Sequence, residues 1–248
     1  MFPLRDHNPS GRFPFVTYAI IALNVAVFVL TMPQTVDMAS LQAFYGEWAM
    51  IPARVSAGEG YQTLLTSMFL HGGFMHLAGN MLFLWIFGDN LEDEMGHLPF
   101  LGFYLAAGLG AALVHYLSAT GSPVPVVGAS GAIAGVMGGY LLLFPKARVD
   151  ILIILIVFFR VFPVPAWVML GLWFGMQLFN GVGSDPTNGG VAYWAHAGGF
   201  LIGLGLTIPL FLRLGGPAFW SQNHGRPPHP DAKYPLSPTR IPTVRRRK

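Results

Sequence analysis

A serine and a histidine occupy positions in this sequence that suit nucleophilic catalysis. Ser130 stands between small residues in Gly-Ala-Ser-Gly, and His196 lies in a second apolar stretch. An imidazole can take the proton of a serine hydroxyl and return it to a leaving group. His76 and Asn80, four positions apart and on one face if helical, offer N–H donors for a developing oxyanion. The apolar stretches contain no aspartate or glutamate that could orient His196, so these residues predict a catalytic dyad.

Two other hydrolytic chemistries fit the sequence poorly. A zinc site of the HExxH type needs two histidines on one helix face, but His71 and His76 are five apart without an intervening glutamate. An aspartyl mechanism needs two carboxylates within the apolar stretches, whereas Asp89 and its acidic neighbours lie at the end of one. We therefore predict a site without metal or cofactor. His71, His97 and His115 are interpreted as structural or interfacial.

The composition indicates an integral multi-pass membrane protein. Of the 248 residues, 53% are hydrophobic and only 10% are charged, against about 25% charged in soluble domains. A soluble fold could not bury that much apolar surface. The bilayer is thus a predicted partner, and nucleic acid is not.

Six apolar stretches predict an all-α fold, a six-transmembrane-helix bundle. The fourth stretch is short because Pro145 ends it, and about 15 residues cover only about 22 Å of a roughly 30 Å hydrocarbon core. Ser130, which begins this helix, is therefore predicted to lie below the membrane surface in a wet, protein-lined pocket. The stretches are 13–32, 64–87, 98–117, 130–144, 166–179 and 191–212.

The remaining segments divide the chain into three parts. We predict a cytoplasmic N-terminal segment (1–12), a membrane domain (13–214) and a disordered, basic, proline-rich cytoplasmic tail (215–248). Within the membrane domain, residues 33–62 are interpreted as a folded interfacial loop. Residues 149–162 are rich in β-branched and aromatic side chains and short for a span, so we favour an interfacial or re-entrant hairpin, with a true crossing as the alternative.

Basic residues predict the orientation of the bundle. With six spans, thirteen of the fourteen Lys and Arg residues fall on one side and only Arg54 on the other. The positive-inside rule then places both termini in the cytoplasm. In that orientation the candidate residues His76, Asn80, Ser130 and His196 lie at a similar depth, in a site open to the outer side.

Glycines indicate where helices can approach each other closely. Gly128 and Gly131 flank Ser130 and leave room for a substrate backbone. Small-residue spacing of the GxxxG type predicts contact between the fourth and sixth spans. The glycines assigned to this packing are Gly135, Gly139, Gly199 and Gly203.

Three motifs in this order resemble the rhomboid intramembrane serine proteases. They are HGGFMHLAGNMLFLWIFGDNLED (71–93), GASGAIAGVMGGYLLLFP (128–145) and AHAGGFLIGL (195–204). The resemblance implies that Ser130 is the nucleophile, that His196 is the general base and that His76 and Asn80 contribute to the oxyanion hole. It also implies cleavage of single-pass transmembrane protein substrates in or near the bilayer, in a bacterial inner membrane.

The resemblance further implies a mobile fifth helix and a capping loop, here about 167–179 and 181–192, as candidate substrate-access elements. Some family members carry an aromatic residue four positions after the nucleophile, where it packs on the catalytic histidine. This chain has Ala134 there, so another group must orient His196. Glu47, Trp48 and Ala49 occupy the neighbourhood of the family's tryptophan-arginine motif in the first loop.

Two alternatives to an active protease stay open at this point. An inactive rhomboid-like protein that binds membrane clients typically lacks the serine or the histidine, and this chain has both. A small transporter with a histidine-lined path would predict internal repeats, and no convincing repeat is evident. The sequence does not predict the oligomeric state.

Overall fold

Apolar helices and one small β-sheet make up the protein in the computed structural model, which describes residues 2–35, 37–155, 158–185 and 187–230. Short 3-10 turns occur at Met32–Thr35 and Ser67–Phe69. In chain order the elements are β1 (Phe2–Asp6), α1 (Phe15–Thr31), α2 (Met38–Trp48), α3 (Pro52–Ser56), α4 (Thr63–Thr66), α5 (Phe74–Met95), α6 (His97–Ser118), α7 (Ser130–Leu143), β2 (Arg148–Leu155), β3 (Phe158–Pro165), α8 (Ala166–Gly183), α9 (Tyr193–Arg213) and α10 (Pro217–Asn223).

Three described helical segments are long and apolar enough to cross a membrane. They are Phe15–Gln34, His97–Ser118 and Tyr193–Arg213, and a fourth is added if α4 with its 3-10 turn and α5 count as one broken span. Large apolar side chains such as Leu30, Leu113 and Leu212 stay exposed on these helices. Such surfaces suit contact with lipid. The protein is therefore a mostly helical, polytopic membrane protein.

The second predicted span is not one straight helix. Thr63–Phe69 meets Phe74–Met95 at an angle of 92°. Gly72 and Gly73 lie in the bend, where Gly73 adopts an extended conformation that ends one segment and precedes the next. The helix also continues beyond the predicted end of this span at residue 87, through the acidic residues to Met95.

A three-stranded antiparallel sheet corrects the all-α prediction. Strands β2 and β3 form the hairpin that we favoured for 149–162, and β1 pairs with β2 on its other edge, with Phe2 opposite Leu152. β-Branched and aromatic side chains pack well on a pleated surface and lose rotamer freedom in a helix. The loop that joins the two strands includes residues outside the described set. β3 leads directly into α8.

The tail prediction is wrong for its first residues. From Gly216 the chain folds into α10, and the Trp220 indole Nε1 donates a hydrogen bond of 2.9 Å to the carbonyl oxygen of Leu142. Leu142 lies in the last turn of α7, where carbonyl groups lack partners within the helix. α10 therefore caps the short helix. Residues 231–248 of the predicted tail lie outside the described residues.

Helix α7 lies at the centre of the bundle. Its residues 131–140 are all buried, and it contacts α5, α6, α8 and α9. Against α9 the two backbones touch: a methyl group on Gly138 would overlap the carbonyl of Phe200, and one on Gly203 would overlap that of Gly135. Gly199 makes the same kind of contact with Gly131. Because backbone atoms rather than side chains set the spacing, α7 and α9 have little freedom to shift relative to each other.

Candidate active site

The first residue of α7 and a residue in the first turn of α9 form a hydrogen bond. Ser130 Oγ lies 2.8 Å from Nε2 of His196. Gly131, the residue after Ser130, and Gly199, about one turn after His196, make a backbone contact directly beside this pair. The close approach of the two helices therefore brings the two side chains within reach of each other.

A cleft of about 550 Å³ opens beside this pair at the end of the bundle where α5, α7 and α9 begin. Ser130 and His196 line it together with His76, Asn80 and His115, and the segment 189–193 covers one side. Both members of the pair are half-buried, so the hydrogen bond lies at the wall of the cleft.

Gly128 brings the ring of His76 close to the serine. This glycine has φ +134°, which side chains rarely adopt. A Cβ there would stand 2.9 Å from His76 Nε2 and 3.5 Å from Ser130 Oγ. Because Gly128 has no side chain, the space between the His76 ring and the Ser130 hydroxyl stays open. Gly131 allows a different approach, since a Cβ on it would lie 2.6 Å from Cβ of Ala111 on α6.

The bend before α5 places His71 behind Asn80. Asn80 Nδ2 lies 2.9 Å from His71 Nε2, and both residues are buried. An amide NH2 only donates, so His71 accepts through Nε2 and this bond fixes the direction of the amide. The His71 and His76 rings also meet edge to face at 5.2 Å. One N–H of Asn80 is used in this way, and the second is left for the cleft.

Two side chains of α8 hold the other side of the His196 ring. Gln177 Oε1 lies 2.9 Å from His196 Nδ1. The same amide donates from Nε2 to the carbonyl oxygen of Trp173, at 3.1 Å. The Trp173 ring lies over the imidazole with centroids 5.8 Å apart and 33° between the planes. An acceptor at Nδ1 requires the tautomer with Nδ1–H, which leaves the Nε2 lone pair to accept from Ser130.

A serine hydroxyl, a histidine with its basic nitrogen on that hydroxyl and nearby N–H donors can perform acyl transfer. The sequence model of the Rhomboid domain matches residues 58–213, more than half of the chain. The chain belongs to the rhomboid family.

Rhomboid relatives come from bacteria and mitochondria. Rhomboid protein 1, mitochondrial, of Saccharomyces cerevisiae is 31% identical over 200 residues, covering 76% of this chain and 51% of the yeast protein. Rhomboid protease GluP of Bacillus subtilis is 38% identical over 130 residues, covering 52% of this chain and 24% of GluP. Presenilin-associated rhomboid-like protein, mitochondrial, of Homo sapiens is 33% identical over 135 residues, covering 54% and 34%. These matches span about half or less of the relatives' lengths.

All four residues predicted for the rhomboid site line the same cleft. Sequence reasoning missed Gln177, which contacts His196. It interpreted His71, which contacts Asn80, and His115, which lines the cleft, as structural or interfacial. Gln177 is the one amide within the apolar run 166–179, and a lone polar side chain in such a run is a signal that could have found it. The burial of His71 depends on the bend before α5, where a single continuous span had been predicted. His97 is far from the cleft and pairs with Glu92.

Proposed function

We propose that this rhomboid protein is an intramembrane serine endopeptidase that uses Ser130 and His196 as a catalytic dyad. The hydrogen bond of 2.8 Å between Ser130 Oγ and His196 Nε2, at the wall of the cleft, carries this proposal. Family membership supports it, and the relative GluP is named a protease.

The reaction follows from the directions of the hydrogen bonds. Ser130 Oγ attacks the substrate carbonyl carbon while its proton passes to His196 Nε2. His196 then gives that proton to the leaving amine, and an acyl-enzyme remains on Ser130. Water attacks this ester by the same proton transfers in reverse and releases the second product. No metal or cofactor takes part in these steps.

The oxyanion is stabilised from the side of α5 and from the start of α7. His76 and the free N–H of Asn80 are proposed donors, joined by backbone N–H groups of the first turn of α7, which have no partner within the helix. Such donors gain strength in a cavity with little water. Each is worth roughly 100- to 1,000-fold in rate.

The substrates we propose are single-pass transmembrane proteins. An apolar pocket of about 110 Å³ lies between α5, α8 and the sheet, lined by Phe83, Met169 and Trp173 among others. The outer surface of α8 is apolar and exposed, as at Phe179 and Val182. A transmembrane segment can approach between α5 and α8 from the lipid, with α8 and the 181–192 loop as the access elements.

We propose six crossings in a bacterial inner membrane, made by α1, α5, α6, α7, α8 and α9. Both termini then lie in the cytoplasm, and the cleft opens to the outer side. The distribution of basic residues, thirteen against one, supports this orientation.

The test uses purified full-length protein with a fluorophosphonate probe and a transmembrane test substrate. We expect labelling of Ser130 and cleavage by the wild type, with loss of roughly 1,000-fold or more in Ser130→Ala and His196→Ala. Asn80→Ala should lose less, roughly 100-fold, because other oxyanion donors persist. Ser221→Ala, an exposed serine on α10, is the matched control and should match the wild type.

Cleavage that survives in Ser130→Ala, with Ser130 unlabelled in the wild type, would contradict a serine mechanism. A wild type that binds the test substrate in pull-down but neither cleaves it nor reacts with the probe would instead indicate a client-binding protein. Complete loss in Asn80→Ala with intact folding would count against a shared oxyanion hole.

A further inference from the structure

Helix α7 does not supply a ring for the imidazole of His196. The position that faces this region carries Ala134, which is fully buried. The ring contact and the hydrogen bond at Nδ1 both come from α8, through Trp173 and Gln177. These two residues are four apart and lie on one face of α8.

We propose that Gln177 is the positioning residue for His196, so that Ser130 is a competent nucleophile only while α8 is packed against α9. This inference rests on the dyad proposed above. Gln177 does not exchange protons with the substrate; it acts through the orientation of the imidazole.

The direction of the Gln177 amide is fixed by its own helix. Its Nε2 donates to the carbonyl oxygen of Trp173, and the reversed amide would place oxygen against oxygen. The amide oxygen therefore faces His196. Gln177 is only 7% exposed, so water competes poorly for this bond.

Aromatic contacts hold this part of α8 on α9. The ring of Phe200, one turn beyond His196, stacks with Phe174 at 4.7 Å and lies 6.1 Å from the Trp173 ring. His196 and Phe200, on successive turns of α9, thus contact the same face of α8. If α8 moves away, His196 loses its acceptor and its ring contact together.

The hydrogen bond from His196 Nδ1 to Gln177 Oε1 keeps one proton of the imidazole in place during the proposed reaction. The proton on Nδ1 stays there throughout, donated to Gln177 Oε1, while the serine proton moves to Nε2 and then to the leaving amine. Without the acceptor, the ring can turn or take the other tautomer, which places N–H against Ser130 and blocks base catalysis.

The experiment removes the hydrogen bond at His196 Nδ1 but keeps a side chain of similar size at position 177. Gln177→Met has a similar length and only a weak acceptor. We expect the rate of fluorophosphonate labelling of Ser130 and kcat for cleavage to fall by roughly 10- to 100-fold, with KM little changed. Gln222→Met, the same substitution at an exposed amide on α10, is the matched control and should retain the wild-type rates.

Gln177→Glu separates positioning from packing. A carboxylate restores the acceptor, so activity should recover above that of Gln177→Met. It also stabilises the protonated imidazole, so the acid limb of the pH–rate profile should move to higher pH than in the wild type. The titratable groups that face His196 from other elements, His76 on α5, His115 on α6 and Asp185 before α9, are unchanged between these variants.

The outcomes separate the two hypotheses. An unlabelled wild-type Ser130 would overturn the dyad and this inference with it. An active wild type whose Gln177→Met variant keeps full labelling and kcat would overturn the role of Gln177 alone. So would a folded Gln177→Glu variant that is as slow as Gln177→Met and has an unshifted acid limb, because a packing role predicts that result. Thermal unfolding of each variant in detergent checks the fold.

Discussion

Gln177 accepts a hydrogen bond from His196 without carrying a charge. An ionised carboxylate inside a membrane bundle costs several kcal/mol unless it is paired. A neutral amide avoids that cost, but in the proposed mechanism it would stabilise the imidazolium of the transition state less than a carboxylate would. The proposed base is thus oriented by hydrogen-bond direction and ring contact rather than by ion pairing.

A second buried polar group lies at the opposite end of the bundle from the cleft. Asp6 on β1 accepts hydrogen bonds at Oδ2 from Asn90 Nδ2 at 2.8 Å and from the Tyr140 hydroxyl at 3.0 Å. Burial, together with the nearby charge of Asp89, raises the pKa of Asp6 to about 8. At neutral pH the folded protein therefore holds a proton that the unfolded chain, with a pKa near 3.9, has released.

This proton makes stability depend on pH. The contribution of Asp6 is fully present below about pH 4 and is lost as pH rises through about 8, at a rate of at most about 1.4 kcal/mol per pH unit. We expect Tm of the wild type in detergent to fall between pH 6 and 8.5, and Asp6→Asn to flatten that slope. Asp37→Asn, at an exposed helix cap, should keep it. Equal slopes in the wild type and Asp6→Asn would refute the assignment.

At the scale of elements, the contact between α7 and α9 sets the geometry of the proposed dyad. Ser130 begins one helix, His196 lies in the first turn of the other, and glycines remove the side chains between them. Side-chain repacking cannot absorb an added atom at such a contact, because the opposing atoms belong to the backbone.

Two glycines of α9 allow a matched test of this contact. Gly203→Ala should destabilise the protein by roughly 1–3 kcal/mol and lower Ser130 labelling, since its methyl group overlaps Gly135. Gly205 has no atom within 4 Å of an added Cβ, so Gly205→Ala should be neutral or slightly stabilising. Unfolding in detergent and the probe assay measure both effects. Equal behaviour of the two variants would contradict a backbone-limited contact.

The sequence predicted correctly those features that depend on apolar and polar residues recurring at helical spacing. The four polar residues and the glycines around Ser130 could be assigned to helices, because apolar runs and i, i+4 spacing are local signals. The break before α5 and the pairing of β1 with β2 depend on contacts distant in sequence. Gln177 stands out locally as the lone amide of its apolar run, but its contact with a histidine 19 positions away is not a local signal.

At the scale of the whole molecule, the two ends of the bundle differ. One end holds the cleft. At the other, the Glu92 carboxylate accepts from the backbone N–H groups of Val16 and Thr17 and so caps α1. Asp93, the next residue, pairs with Arg12 and with His229. The acidic stretch of α5 thus binds both terminal segments and closes that end.

The proposed orientation can be tested because the chain has no cysteine. Asn188→Cys lies in the exposed loop between α8 and α9, and Gln222→Cys is exposed on α10. In intact spheroplasts, a membrane-impermeant maleimide should label the former, and should label the latter only after permeabilisation. The reverse pattern would invert the topology. Labelling of both before permeabilisation would contradict the proposal that α9 crosses the membrane between that loop and α10.

The pairing of β1 with β2 has a consequence for biosynthesis. Arg5 and Asp150, joined by a hydrogen bond of 2.9 Å, are 145 positions apart. β1 therefore precedes β2 in synthesis by all the residues of α1 to α7, and the sheet that leads into α8 can close only after β2 has been synthesised. We expect a bulky tag fused directly before β1 to slow this closure, and through β3 to affect α8, the helix that contacts His196.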